Sequence, residues 1–105
     1  MRYILPHEQL HAYRHAQQFA AIAVPLLDSW PSKIAVRDQL DRAIESVMTN
    51  LVKAARRQRT DKGIYLSECS VGSVLECAAC IDVALRRGLI GDAQVQAGKQ
   101  ILQRV

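Results

Sequence analysis

Turn-forming residues are scarce in this 105-residue chain: five glycines and three prolines, too few for a turn-rich β protein. Aromatics number only five (Tyr3, Tyr13, Phe19, Trp30 and Tyr65), so the core has to be built from alanine, leucine, valine and isoleucine, a palette that favours close helix packing. No apolar run reaches the roughly 18 residues of a membrane span. The longest, residues 19–27, is interrupted by Pro25. The first six residues do not have the charged-then-apolar layout of a secretory signal, and the chain is expected to be cytoplasmic, with no membrane partner. Three cysteines is an odd number, and Cys77 and Cys80 stand three apart in a helical stretch, poorly placed to bridge each other. They are expected as small buried hydrophobes. No further ligands stand at zinc-site spacing, so no metal is expected. There is no P-loop and no dinucleotide fingerprint, and Ser67, Ser70 and Ser73 sit in no nucleophile signature. No catalytic residue and no cofactor is expected.

What remains is a helical pattern along the whole chain. Half of the residues are hydrophobic, enough to bury one core without disulfides, so residues 1–105 are expected to form one domain. The first helix is predicted over about 7–29, with one stripe through Leu10, Tyr13, Gln17, Ala20, Val24 and Leu27 and a second through Ala12, Ala16, Phe19, Ala23 and Leu26. Pro25 is expected to kink its last turn, and Trp30-Pro31-Ser32 to end it, with Ser32 capping the next helix. The second helix is predicted over about 33–59, its stripe running through Val36, Leu40, Ala43, Ile44, Val47, Leu51 and Ala54. Thr60-Asp61-Lys62-Gly63 reads as a polar break. The third helix is predicted over about 64–87 and is apolar almost all round, with Gly88 as its C-cap. The fourth is predicted over about 92–104, with Ala93, Ala97, Ile101 and Val105 on one side and Val95, Gly98 and Leu102 widening it. Short connections make successive helices antiparallel, which gives an all-α, up-down four-helix bundle.

Two features exceed what a monomeric bundle needs. The first and third helices each carry two apolar faces, and a helix apolar all round wants burial on every side. A closed symmetric homo-oligomer resolves this; a dense monomer core with exposed alanines is the alternative. The second feature is charge. Residues 53–62 hold Lys53, Arg56, Arg57, Arg59 and Lys62 against Asp61 alone, while the other nine basic and nine acidic residues balance, so the whole net charge of +4 resides in this segment. In an up-down bundle the segment shares an end with both termini, so Arg2, Lys99 and Arg104 are expected to join it. Arginine outnumbers lysine ten to four, and its planar fork suits phosphate. Such a cluster fits sequence-independent contact with an RNA or DNA backbone. It also fits a solubilising helix end whose cations favour the dipole, and charge alone leaves both open.

Other candidates point to structure. His7, His11 and His15 share a helix face at i, i+4, i+8 but have no third ligand type beside them, and read as solvated or interfacial. Glu76, amid an apolar run, is expected to be partly buried and paired with an arginine or with Asn50. Ser70 and Ser73, with Gly72, are expected to let a neighbouring helix approach closely.

Several segments resemble a four-helix-bundle family. Leu10-His11-Ala12-Tyr13-Arg14-His15-Ala16 resembles its opening helix, and Trp30-Pro31 the aromatic-proline that ends it. Val36-Arg37-Asp38-Gln39-Leu40-Asp41-Arg42-Ala43 and Asn50-Leu51-Val52-Lys53-Ala54-Ala55-Arg56-Arg57 are similar to the second helix's runs. Val71-Gly72-Ser73-Val74-Leu75-Glu76, then Arg87-Gly88-Leu89-Ile90, resemble the family's glycine-serine-x-x-glutamate and glycine-aromatic-leucine elements. The family comprises proteins encoded in intervening sequences of bacterial large-subunit rRNA and the accessory variability proteins of diversity-generating retroelements. Lys53 stands where the family has glutamate, and Ala54 and Arg56 where it has glycines. The added charge leans toward the retroelement type. The resemblance implies a barrel-like homopentamer without enzymatic activity. On the retroelement side it implies a nucleic-acid-binding accessory that partners a reverse transcriptase in mutagenic copying of template RNA into cDNA. On the rRNA side it assigns no biochemical role, and the alternative expectation is a structural or protein-interaction module of the rRNA intervening-sequence type with no direct nucleic-acid role.

Overall fold

A computed structural model describes residues 10–57 and 60–105 of the chain. These form four helices and, among the described residues, no strand: α1 (His11–Asp28), α2 (Ala35–Arg56), α3 (Asp61–Arg86) and α4 (Asp92–Leu102). α1 packs against α2 and α4, α2 against α3, and α3 against α4, an arrangement compatible with the expected up-down bundle. None of the helices among the described residues is long and apolar enough to cross a membrane.

The core follows the 3.6-residue period. Ala16, Phe19, Ala23 and Leu27 of α1 meet Val36, Leu40, Ala43, Ile44 and Val47 of α2, Cys77, Cys80, Ile81 and Ala84 of α3, and Val95 and Leu102 of α4. In α1 this is the second of the two predicted stripes plus Leu27; Gln17 of the first is exposed and Ala20 and Val24 are half-buried. In α4 the expected order of faces is reversed. Val95, Gly98 and Leu102 are buried and Ala93 and Ala97 exposed, because Gly98 lies against Ile81 and Phe19: a Cβ there would come within 3.2 Å of Ile81 Cδ1. Trp30 is buried just past the end of α1, and the helix runs through Pro25 for three further residues.

The caps explain where the helices differ from expectation. Ile34, not Ser32, occupies the N-cap of α2, and it makes no side-chain cap. The expected polar break is the first turn of α3. Thr60 is its N-cap, with the hydroxyl accepting from Gly63 N at 3.0 Å. Asp61 stands in that first turn, at the positive end of the helix dipole. The far end closes as expected. Gly88 has φ +73°, Leu89 N donates to Ala84 O at 2.9 Å and Gly88 N to Leu85 O at 3.0 Å, the paired bonds of a Schellman cap.

α2 and α3 meet along a seam of small and polar side chains. Ser46 Oγ and Ser73 Oγ are 2.7 Å apart, Ser70 Oγ donates to Val47 O at 3.1 Å, and Asn50 Nδ2 donates to Ser46 O at 2.9 Å. Ser70 and Ser73 thus serve the close approach expected of them, but Gly72 does not: it is exposed, with nothing within 4 Å of where its Cβ would lie. Cys77 and Cys80 are buried and Cys69 half-buried, all three as free thiols. Burial pushes the Cys77 thiol up to about 12, with smaller contributions from Cys80 and Glu76; burial, then Glu76, raises Cys80. Glu76 itself is exposed, and Asn50 spends its amide on Ser46, so the expected buried pair is absent.

Candidate functional site

Helix lengths decide what stands at the basic end. At about 1.5 Å per residue α3 is about 39 Å long and α4 about 16 Å. α4 ends with Leu102 beside Ala16, Phe19, Ile44, Val47 and Cys77. The first half of α3 therefore extends beyond α4 and packs on α2. The free end of this α2–α3 hairpin carries the positive segment.

There Lys53, Arg56, Arg57, Lys62 and Leu66 line an open cleft of about 350 Å³. The described residues on either side of the connection are tied together: Arg57 N donates to Ala54 O at 3.0 Å, Thr60 N to Arg57 O at 3.2 Å, and Thr60 Oγ1 to Arg57 O at 2.6 Å. Gly63 is buried against the Arg57 carbonyl, where any Cβ would overlap the oxygen. Lys53 and Arg56 occupy the last turn of α2, where cations favour the dipole. The ion pairs of the described residues lie elsewhere: Arg37–Asp28 at 3.8 Å, Arg42–Asp38 at 3.1 Å and Lys99–Asp82 at 2.7 Å. The cleft cations are left facing water without a carboxylate of the described residues on them.

Only part of the predicted cluster gathers. Lys53, Arg56, Arg57 and Lys62 converge. Lys99 does not: it pairs with Asp82, in the second half of α3. α4 ends with Leu102 beside Cys77 of that same half, about 20 Å of helix rise from Lys62, and Arg104 follows two residues on. The expectation that they share the basic end assumes helices of equal length, and α4 is less than half of α3. Arg2 and Arg59 lie outside the described residues, as does His7; His11 is exposed, and His15 Nδ1 lies 3.1 Å from Gln18 Oε1.

Two further features sit on the hairpin. Tyr65 is 58% exposed, with Lys62 Nζ 5.9 Å from its ring centroid. The neighbouring Cys69 side chain raises the Tyr65 hydroxyl pKa above its ordinary value. Its signal in the sequence is Lys62-x-x-Tyr65, a cation and a ring one turn apart, which a count of charges passes over. The second feature is a line of exposed apolar side chains, Ile64, Val71 and Leu75, the last 65% exposed. Residues 64, 71, 75 and 82 share one face of α3 at helical spacing. Asp82 on this face is exposed and reaches Lys99 from the rim, while α4 itself packs on the Cys77 and Ile81 side, so the stripe lies beside the α4-facing side.

Residues 8–105, all four helices and the cleft included, match the sequence model of the 23S rRNA-intervening sequence proteins. The chain belongs to that family. Neither a curated protein nor a solved structure was found to match. Membership names the genetic setting of the family and leaves its biochemistry to the geometry.

Proposed function

We propose that this chain is a non-enzymatic, self-associating helical protein that binds the phosphate backbone of nucleic acid at the free end of its α2–α3 hairpin. One observation carries the reading: Lys53, Arg56, Arg57 and Lys62 are brought into one cleft by a turn that leaves them unpaired by carboxylates of the described residues. A helix end that merely favoured its dipole would need Lys53 and Arg56 on α2. It would not need Lys62, which sits in the first turn of α3, where a cation opposes the dipole. Binding of phosphates accounts for all four. The finer form of the reading, a retroelement accessory working with a reverse transcriptase, rests on the added charge at Lys53 and Arg56; a reverse-transcriptase gene beside this one would support it. The test is binding to RNA and DNA across a salt series. The variant Arg56→Gln/Arg57→Gln/Lys62→Gln should flatten the slope of log affinity against log salt by about two to three, at roughly 0.7–0.9 for each phosphate no longer neutralised.

A second reading, a protein-interaction module, is favoured by Ile64, Val71 and Leu75. Their stripe is what a second copy would cover in a closed ring, which the resemblance makes five-membered, because the described residues leave this apolar face of α3 open. The two readings are compatible: the stripe and the cleft occupy different sides of the hairpin.

A further inference from the structure

We infer that the basic cleft takes unpaired, single-stranded nucleic acid, with one base stacked on Tyr65 and the neighbouring phosphates held by Lys53, Arg56, Arg57 and Lys62. This rests on the phosphate-binding reading above and adds to it which form of nucleic acid is held.

Tyr65 is the reason. A large ring left more than half exposed on a helix calls for an explanation, and the apolar stripe does not supply one. At 100° per residue Tyr65 is turned about 100° from Ile64, off the stripe and toward Lys62. Lys62 belongs to both features: it lines the cleft, and its ammonium stands 5.9 Å from the centre of the Tyr65 ring. A phosphate on Lys62 therefore sits within one nucleotide's reach of the ring. Having only two rotatable side-chain bonds, the ring gives up little freedom on stacking. A positively charged groove beside an aromatic platform is the combination that recognises single strands, since every base has a π-face and the sequence matters little. In a duplex those faces are already stacked on neighbouring base pairs, and only the backbone is available. Tyr65 thus adds affinity for unpaired strands alone.

The test uses the full-length protein and three fluorescent probes: a uridine homopolymer, a thymidine homopolymer, and a blunt RNA duplex of the same length. The wild type is expected to bind both single strands more tightly than the duplex. Tyr65→Ala should weaken single-strand binding by about five- to a hundredfold, the range for one stacked base, and leave the duplex unchanged. Tyr65→Phe should retain single-strand binding, because the face of the ring does the stacking. Tyr65 is exposed, so these variants fold, and their thermal melts check it. If the wild type binds but Tyr65→Ala weakens nothing, or weakens strand and duplex alike, the stacking inference is overturned and the phosphate reading stands. If the wild type binds none of the probes at low salt, both fall together. If Arg56→Gln/Arg57→Gln weakens every probe while Tyr65→Ala weakens only the single strands, both hold.

Discussion

Two glycines nine residues apart on α3 should answer the same substitution with opposite sign. Ala is favoured over Gly inside a helix by about 1 kcal/mol, a gain available in principle to both. Gly72 is exposed with nothing within 4 Å of its missing Cβ, so Gly72→Ala should gain about that amount. Gly63 is buried against α2, and its Cβ would overlap the Arg57 carbonyl oxygen and lie 2.9 Å from the carbonyl carbon. Both neighbours are backbone, so α3 has to move. Moving it pulls Gly63 N from the Thr60 hydroxyl, a cap whose loss costs about 1 kcal/mol, and the overpacking costs a further 1–3 kcal/mol. Net of the helix gain, Gly63→Ala should destabilise by about 1–3 kcal/mol. For a chain of this size 1 kcal/mol shifts the melting temperature by roughly 4–8 °C. Urea titrations followed by circular dichroism, at one protein concentration because self-association links stability to concentration, give both numbers. A Gly63→Ala protein as stable as the wild type would refute the account of how the turn is closed.

The remaining predictions concern the core thiol and the exposed stripe. Cys77 has its pKa raised from an ordinary 9.0 to about 12, chiefly by burial, so between those values the unfolded chain releases a proton that the folded chain keeps. The stabilisation is fully present below pH 9 and is lost as pH rises toward 12, at up to about 1.4 kcal/mol per pH unit. Unfolding free energies at pH 8, 9, 10 and 11 should fall more steeply for the wild type than for Cys77→Ala; parallel curves would contradict the assignment. Leu75→Glu places a charge on a side chain that is 65% exposed in the single chain, so it should leave the monomer's helix content intact and lower the mass in solution. An unchanged mass by light scattering would show that the stripe is not where copies meet.

How much of this is legible in the sequence depends on the scale of the pattern. The α2 stripe through Val36, Leu40, Ala43, Ile44 and Val47 can be read directly, because one apolar face on a 3.6 period has one solution. α1 and α3 carry two such faces each, and periodicity cannot say which is turned inward. That is why Gln17 falls on a candidate core stripe, and why Glu76 is expected to be partly buried, when both are exposed. Capping chemistry misleads at Thr60 to Gly63, where the residues that signal a turn also signal a helix start: Thr60 is an N-cap, and Gly63 is glycine for close approach. Gly88 reads correctly because a Gly after Arg86 and Arg87 has few other uses. The basic cluster is half legible. Neighbours along the chain, Lys53 to Lys62, do converge. Lys99 and Arg104 do not, because their place depends on where α4 ends against α3, a tertiary quantity. The shortness of α4 is visible in its predicted span, and with it the consequence that part of α3 stands uncovered.

The central claim is that the cleft of Lys53, Arg56, Arg57 and Lys62 binds nucleic-acid phosphates, and the most direct test is affinity of the full-length protein for RNA as a function of salt. A binding constant that falls steeply with salt, with a slope flattened by about two to three in Arg56→Gln/Arg57→Gln/Lys62→Gln, is the predicted result. No binding at low salt, or binding with the same slope in that variant, would contradict the claim and leave the hairpin as a surface for protein partners.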